Sequence, residues 1–448
     1  MTYQTFLLNN GLRIIHQSSE SNISYCGFAI NVGTRHELPG EEGMAHFVEH
    51  MLFKGTQKRK AHHIVNRMEN VGGELNAYTT KEETFVYAAF LEEYLQRAMD
   101  LLGDMVFNSY FPQKQIERER DVIIDEIQSY KDSPSELIFD DFERLLFSHQ
   151  SIGNYILGTK QSLNSFDHDS VKSFVLRNYL SERMVFFSFG KTPFKKVVRW
   201  AQKYFSYSLS PYMLSSKNIV SSIPAEHKGL NHLNDLSSDS LANSIPTEHN
   251  DSDSSNVKPN NSAVSYNPQK MVLDKDTVQT HIIMGRPVFE MFNNDRYTLL
   301  LINNLLSGGD SSRLNVALRE KRGLVYSVES NVALYTDTGV FSIYFGCDPK
   351  NADKCIRLVE QELSRLQKES LTPIQLQIAK KQLCGQIGIA SENHENVALG
   401  MAKRYLHFNN YESINETFRR IKSITSDDIK RLSVQLLNPE WFSYLKYK

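Results

Sequence analysis

The chain has 448 residues, of which 40% are hydrophobic, 11% aromatic and 23% charged, with a formal net charge of −2. That length exceeds one ordinary core, so two globular domains are expected. The near-zero charge gives no ground for binding nucleic acid or an anionic membrane surface, and no apolar run is long enough to span a bilayer.

The first residues, MTYQTFLLNNGLRIIHQ, lack the basic, apolar and small-residue blocks of a secretory leader and the Arg-rich character of a transit peptide. They read as the start of a first strand, and a cytoplasmic protein is expected. Next, ISYCGFAINVG reads as a strand, and HFVEH (His46–His50) lies on a helix. AHHIVNRMENVGG forms a second helix, with Ile64, Met68 and Val71 at helical spacing and Gly72 placed to end it. ELNAYTT and ETFVYAAF read as a hairpin, followed by the helix LEEYLQRAMDLLGDMV.

Residues 213–264 are rich in Ser, Asn and Asp, contain no aromatic side chain, and carry the near-repeat SIPAEH (Ser222–His227) and SIPTEH (Ser244–His249). Such a stretch has too little apolar surface to offset its ordering entropy. Beyond it, TVQTHIIMGRPV is strand-like, and RYTLLLINNLLSGG and SSRLNVALREKRG are helical. VYSVESNVAL and GVFSIYFG read as a strand pair, and ADKCIRLVEQELSRL as a helix. One β-α-α-β-β-α order therefore occurs twice. The expected fold is α+β, with two homologous domains, 1–212 and 269–448, each an antiparallel sheet with helices packed on it. A long disordered linker, 213–268, joins them. The cysteines Cys26, Cys347, Cys355 and Cys384 show no CxxC or zinc-ribbon spacing and are expected to be reduced and mostly buried.

HFVEH carries the chemistry. Four residues apart on a helix, His46 and His50 can aim their imidazoles at one point, and neutral imidazole is a good ligand for zinc. Glu49, beside that face, is free to act as a base on a water whose pKa zinc lowers to about 7. A catalytic zinc needs a third protein ligand. In QKQIERERDVIIDEIQSYKD, read as a helix, Ile116, Val122, Ile123, Ile127 and Tyr130 form an apolar stripe. Glu119 and Glu126 lie within it. A carboxylate there needs a cation: zinc would meet one of the two, and buried arginines are the alternative partners.

These motifs resemble the M16 metallopeptidases, the insulinase and mitochondrial-processing-peptidase family. HFVEHMLFKGT is similar to that family's inverted zinc motif, GGELNAYTTKEETFVY to its substrate-strand region, and RERDVIIDEIQ to the helix bearing its last ligand. LSGGDSSRLNVALREKRGLVYSV is similar to a stretch of its C-terminal domain. The resemblance implies a Zn²⁺ enzyme that cleaves peptides at internal bonds. His46, His50 and Glu126 would be the metal ligands, Glu49 the base, and Glu119 a carboxylate supporting the site. It also implies that Asn76 and Ala77 bind the substrate backbone as an added strand. Arg319 and Tyr326 would contact the substrate carbonyl and its oxyanion. The chain resembles one half of longer family members in which that Arg/Tyr pair faces the zinc from the opposite half. A homodimer completing each site in trans is expected, and a non-catalytic scaffold subunit is the alternative.

Overall fold

Two sheets frame the computed structural model, which describes residues 3–148, 150–206, 266–275 and 277–448. The first contains β1 (Tyr3–Leu7), β2 (Arg13–Ser18), β3 (Ile23–Ile30), β4 (Glu74–Thr79), β5 (Thr84–Leu91) and β6 (Met184–Gly190), in the order β1-β2-β6-β3-β5-β4. The second contains β7 (Lys270–Leu273), β8 (Thr280–Val288), β9 (Val325–Leu334), β10 (Gly339–Cys347) and β11 (Ser443–Tyr447), in the order β7-β11-β8-β10-β9. Neighbours run antiparallel except β2/β6 and β11/β7. Each parallel pair joins strands far apart in sequence, as a crossover through intervening helices requires. The expected linker lies outside the described residues apart from residues 266–268.

Among the described residues, eight α-helices precede that segment: α1 (Met44–Met51), α2 (Ala61–Glu69), α3 (Leu95–Asn108), α4 (Gln113–Lys131), α5 (Pro134–Leu146), α6 (Lys160–Asn164), α7 (His168–Asn178) and α8 (Phe194–Phe205). After it come α9 (Arg296–Ser307), α10 (Ala352–Lys368), α11 (Pro373–Ala390), α12 (His394–Phe408), α13 (Ile414–Ser423) and α14 (Ser426–Leu436). The repeated order is present as β3-α1-α2-β4-β5-α3 and again from β8 through α9 to β9, β10 and α10. In the second copy the element after α9 is a π-helix, Asn315–Glu320, where an α-helix was expected. Among the described residues no helix is long and apolar enough to cross a membrane.

Strand sequences such as MVFFSFG and TFVYAAFL are apolar at nearly every position because both faces of each sheet are covered. On β6, Met184 and Phe186 enter the core shared with α3 and α8, whereas Val185, Phe187 and Phe189 face Ala398, Met401 and Ala402 of α12. On β8, Ile282 and Met284 face the second half's own helices, whereas Ile283 meets Ile138 and Phe142 of α5. Each half thus lends one helix to the outer face of the other half's sheet. Burying each of these large side chains is worth about 1.5–3 kcal/mol, which draws the two halves into one compact unit.

Candidate metal centre

Helix α1 starts at Gly43, whose φ of +90° suits glycine, and a Cβ there would lie 2.7 Å from Gly158 Cα. A side-chain cap must therefore come from elsewhere. Glu37 supplies it, accepting the amide hydrogens of Gly43 at 3.1 Å and Ala45 at 2.9 Å. Burial pushes the Glu37 carboxyl up to about 8 in spite of those two bonds.

One turn later, His46 and His50 project side by side, with ring centroids 4.5 Å apart. Helix α4 packs against α1 and brings Glu126 to them. Its carboxylate lies 3.9 Å from His46 Nε2 and 3.8 Å from His50 Nε2. One ligand atom from each of the three residues can be chosen so that all lie within 4.8 Å of one another. Four-coordinate zinc with bonds of about 2.0–2.2 Å sets its donors roughly 3.3–3.5 Å apart. The two Glu126 distances exceed that by a few tenths of an ångström, and within the 4.8 Å limit of the whole set side-chain rotations of roughly an ångström would close it around one ion. Burial, then the neighbouring His50, lowers His46 to about 3, so its ring is neutral and can offer a lone pair. Among the described residues, His46 Nδ1 is buried without a hydrogen-bond partner.

Glu119 stands behind the donors. Its Oε1 lies 2.9 Å from His50 Nδ1, and its Oε2 lies 2.7 Å from Lys54 Nζ. Burial raises its pKa, but the bonds from His50 and Lys54 outweigh this and leave it lowered. An ionised carboxylate on Nδ1 holds the imidazole with Nε2 turned to the donor cluster. Glu49 is buried on α1, beside His50 in the chain, and Thr79 Oγ1 donates to its Oε2 at 2.6 Å. Burial raises the Glu49 pKa, partly opposed by the Thr79 bond.

Two expectations about α4 need correction. Val122 is 51% exposed and lies off the buried stripe, which runs through Ile116, Glu119, Ile123 and Ile127. Glu126 sits at its margin with a side chain 44% exposed, open to solvent on one side as a ligand beside a substrate position would be. The difference is one of angle: positions 116, 119, 123 and 127 share a narrow face, and 122 and 126 fall to its side.

Asn76 and Ala77 lie on β4, the terminal strand of its sheet, and pair with Tyr87 and Val86 of β5 only. The opposite edge of β4 is open among the described residues. Arg319, on the π-helix, pairs with Asp310 at 3.3 Å, and Tyr326, on β9, is 85% exposed. No hydrogen bond or ion pair among the described residues joins either to His46, His50, Glu49 or Glu126. Sequence reasoning missed Thr79, Lys54 and Glu37. Thr79 carried a signal, because two-residue alternation puts it on the same face of β4 as Ala77, which packs on the core.

Residues 13–160 match the family model described as insulinase (peptidase family M16), and residues 165–383 match the model described as the peptidase M16 inactive domain. A Mycobacterium tuberculosis protein, uncharacterized zinc protease Rv2782c, is 30% identical over 96% of this chain and 90% of its own length. The chain belongs to the M16 peptidase family. A second relative, the Bacillus subtilis uncharacterized zinc protease YmxG, is 28% identical over 97% of this M16 chain and 96% of its own length. The fold is shared with the crystal structure of a protease from Helicobacter pylori, at a TM-score of 0.81 and 19% identity, covering 100% of this chain and 99% of that one. A Pseudomonas fluorescens structure described as a peptidase M16 inactive domain superposes at a TM-score of 0.82 and 16% identity, covering 100% and 98%.

Proposed function

We propose that this M16 chain is a zinc-dependent endopeptidase that hydrolyses internal bonds of unstructured peptides or leader segments. One observation carries the reading: His46 and His50 of α1 converge with Glu126 of α4, and a buried carboxylate, Glu49, lies between the two histidines in the sequence of α1. The relatives' names, zinc proteases, support zinc as the ion. Zinc, when bound, supplies Lewis acidity to the scissile carbonyl and to the attacking water. Glu49 takes the proton of that water and passes it to the leaving amine. Thr79 holds one Glu49 oxygen, and Glu119 holds His50. The open edge of β4 at Asn76 and Ala77 takes the peptide backbone as an added strand, a mode tolerant of varied side chains.

Arg319 and Tyr326 are part of the same proposal. Exposed and unconnected to the donor cluster, they act on the oxyanion in the site of a second copy, so the working unit is a homodimer. A cytoplasmic setting is supported by the four cysteines, all unpaired. The intact donor set and base argue against a non-catalytic scaffold.

The test uses two variants, Glu49→Gln and Tyr326→Phe, each checked for zinc content. Glu49→Gln should keep its zinc and lose about 10²–10⁴-fold in kcat on an unstructured peptide. Mixing it with Tyr326→Phe should restore activity through mixed dimers. Full activity of Glu49→Gln would overturn the base assignment. No recovery after demonstrated subunit exchange would overturn completion in trans.

A further inference from the structure

The tip of the β4–β5 hairpin, residues 80–83, is gripped from three sides. On one side lies the segment before α1. Thr34 N donates to Thr80 O at 3.3 Å and Arg35 N to Lys81 O at 2.9 Å. A Cβ on Gly33 would come within 2.6 Å of Glu82 N, so glycine permits this approach. On the second side is the β9–β10 turn of the C-terminal half. Glu82, 2% exposed, accepts Thr336 N at 3.0 Å and Thr336 Oγ1 at 2.6 Å. Arg35 binds Glu82 as well and reaches Asp337 at 2.5 Å. The third side is α12, where His407 Nε2 and Lys403 Nζ lie 2.7 and 3.0 Å from Glu83 Oε1.

The neighbouring residue in the chain, Thr79, holds the base Glu49. We propose that this tip is a positioning joint: the C-terminal half, through Thr336 on Glu82, sets the place of Thr79 and thereby of the Glu49 carboxylate. Glu82, Thr336 and Thr79 are positioning residues for the reaction. A buried carboxylate with three donor groups has few alternative placements, so the strand beside it inherits a defined register. The C-terminal half therefore contributes to the zinc site of its own chain, separately from what Arg319 and Tyr326 do for another.

This inference rests on Glu49 being the base, and the experiment separates the two ideas. In the full-length protein, Thr79→Val, Thr336→Val and the double variant are compared for kcat, KM, zinc content and thermal midpoint. Thr336→Val keeps the backbone donor to Glu82, so the fold is retained. Each single variant is expected to lower kcat about 10-fold with KM and zinc content unchanged, and the double variant to lose no more than the worse single. Thr336→Ser should restore kcat. Multiplicative losses in the double variant, or a Thr336→Val change in KM or thermal midpoint alone, would overturn the joint. Full activity of Glu49→Gln in parallel would instead overturn the underlying reading.

Discussion

Helices α1 and α9 follow equivalent strands in the two halves and carry opposite loads. Helix α1 is eight residues long and bears His46, Glu49 and His50, two of which are buried. Helix α9 is twelve residues long and packs Leu299, Leu301, Ile302 and Leu306 into the second core. Helix α1 packs Met44, Ala45, Phe47, Val48 and Met51 into the first core, and its polar groups are held from outside the helix: Glu37 at its start, Glu119 and Lys54 behind His50, and Thr79 on Glu49. Helix α9 is held mainly by packing. Chemistry-bearing residues can be buried in a short helix only where neighbouring elements satisfy each of them.

The sharpest contrast should come from the apolar side. Ile302→Ala should cost about 2–5 kcal/mol in a denaturant titration and leave the zinc affinity of the folded protein unchanged. A large fall in zinc affinity would mean that the two helices are not separable in this way. The next effect lies at the seam between the halves. Burial pushes Glu83 up, but the His407 bond, the Lys403 charge and the Thr80 hydroxyl outweigh it and hold the carboxyl at about 2. A carboxyl depressed in the folded state adds stability above its unfolded value, near 4.5. That stability is lost as pH falls from there through about 2. The loss should be on the order of 3 kcal/mol and should shrink in His407→Ala, as read from unfolding curves between pH 6 and 2. A smaller free-energy effect is expected on the polar side. Glu119→Gln should weaken zinc binding about 10–100-fold in competition with a chromogenic chelator, with little change in thermal midpoint of the metal-free protein.

Much of this was legible from local pattern. The spacing of His46 and His50 placed both on one helix face, and the repeated element order announced two related halves. The stripe on α4 brought forward Glu119 and Glu126 together, but periodicity could not separate a carboxylate behind one imidazole from one facing both. That distinction depends on the angle at which α4 crosses α1. Val122 was misplaced for a similar reason, since a stripe drawn too wide includes side chains that miss the neighbouring helix. The π-turn at Asn315–Glu320 carries no periodic signature. Nor does the contact between Thr336 and Glu82, which joins positions 254 residues apart.

The exchange of α5 and α12 bears on how the chain is made. Among the described residues, the outer face of the first sheet, with Ile15, Phe85, Phe187 and Phe189, is covered by α12 through Ala398, Met401, Ala402, Tyr405 and Leu406. A nascent chain emerging from the ribosome thus carries that apolar face uncovered until α12 has been synthesised. The first half cannot finish folding ahead of the second, and a growing chain stalled before α12 would present a sticky sheet to chaperones and to its neighbours.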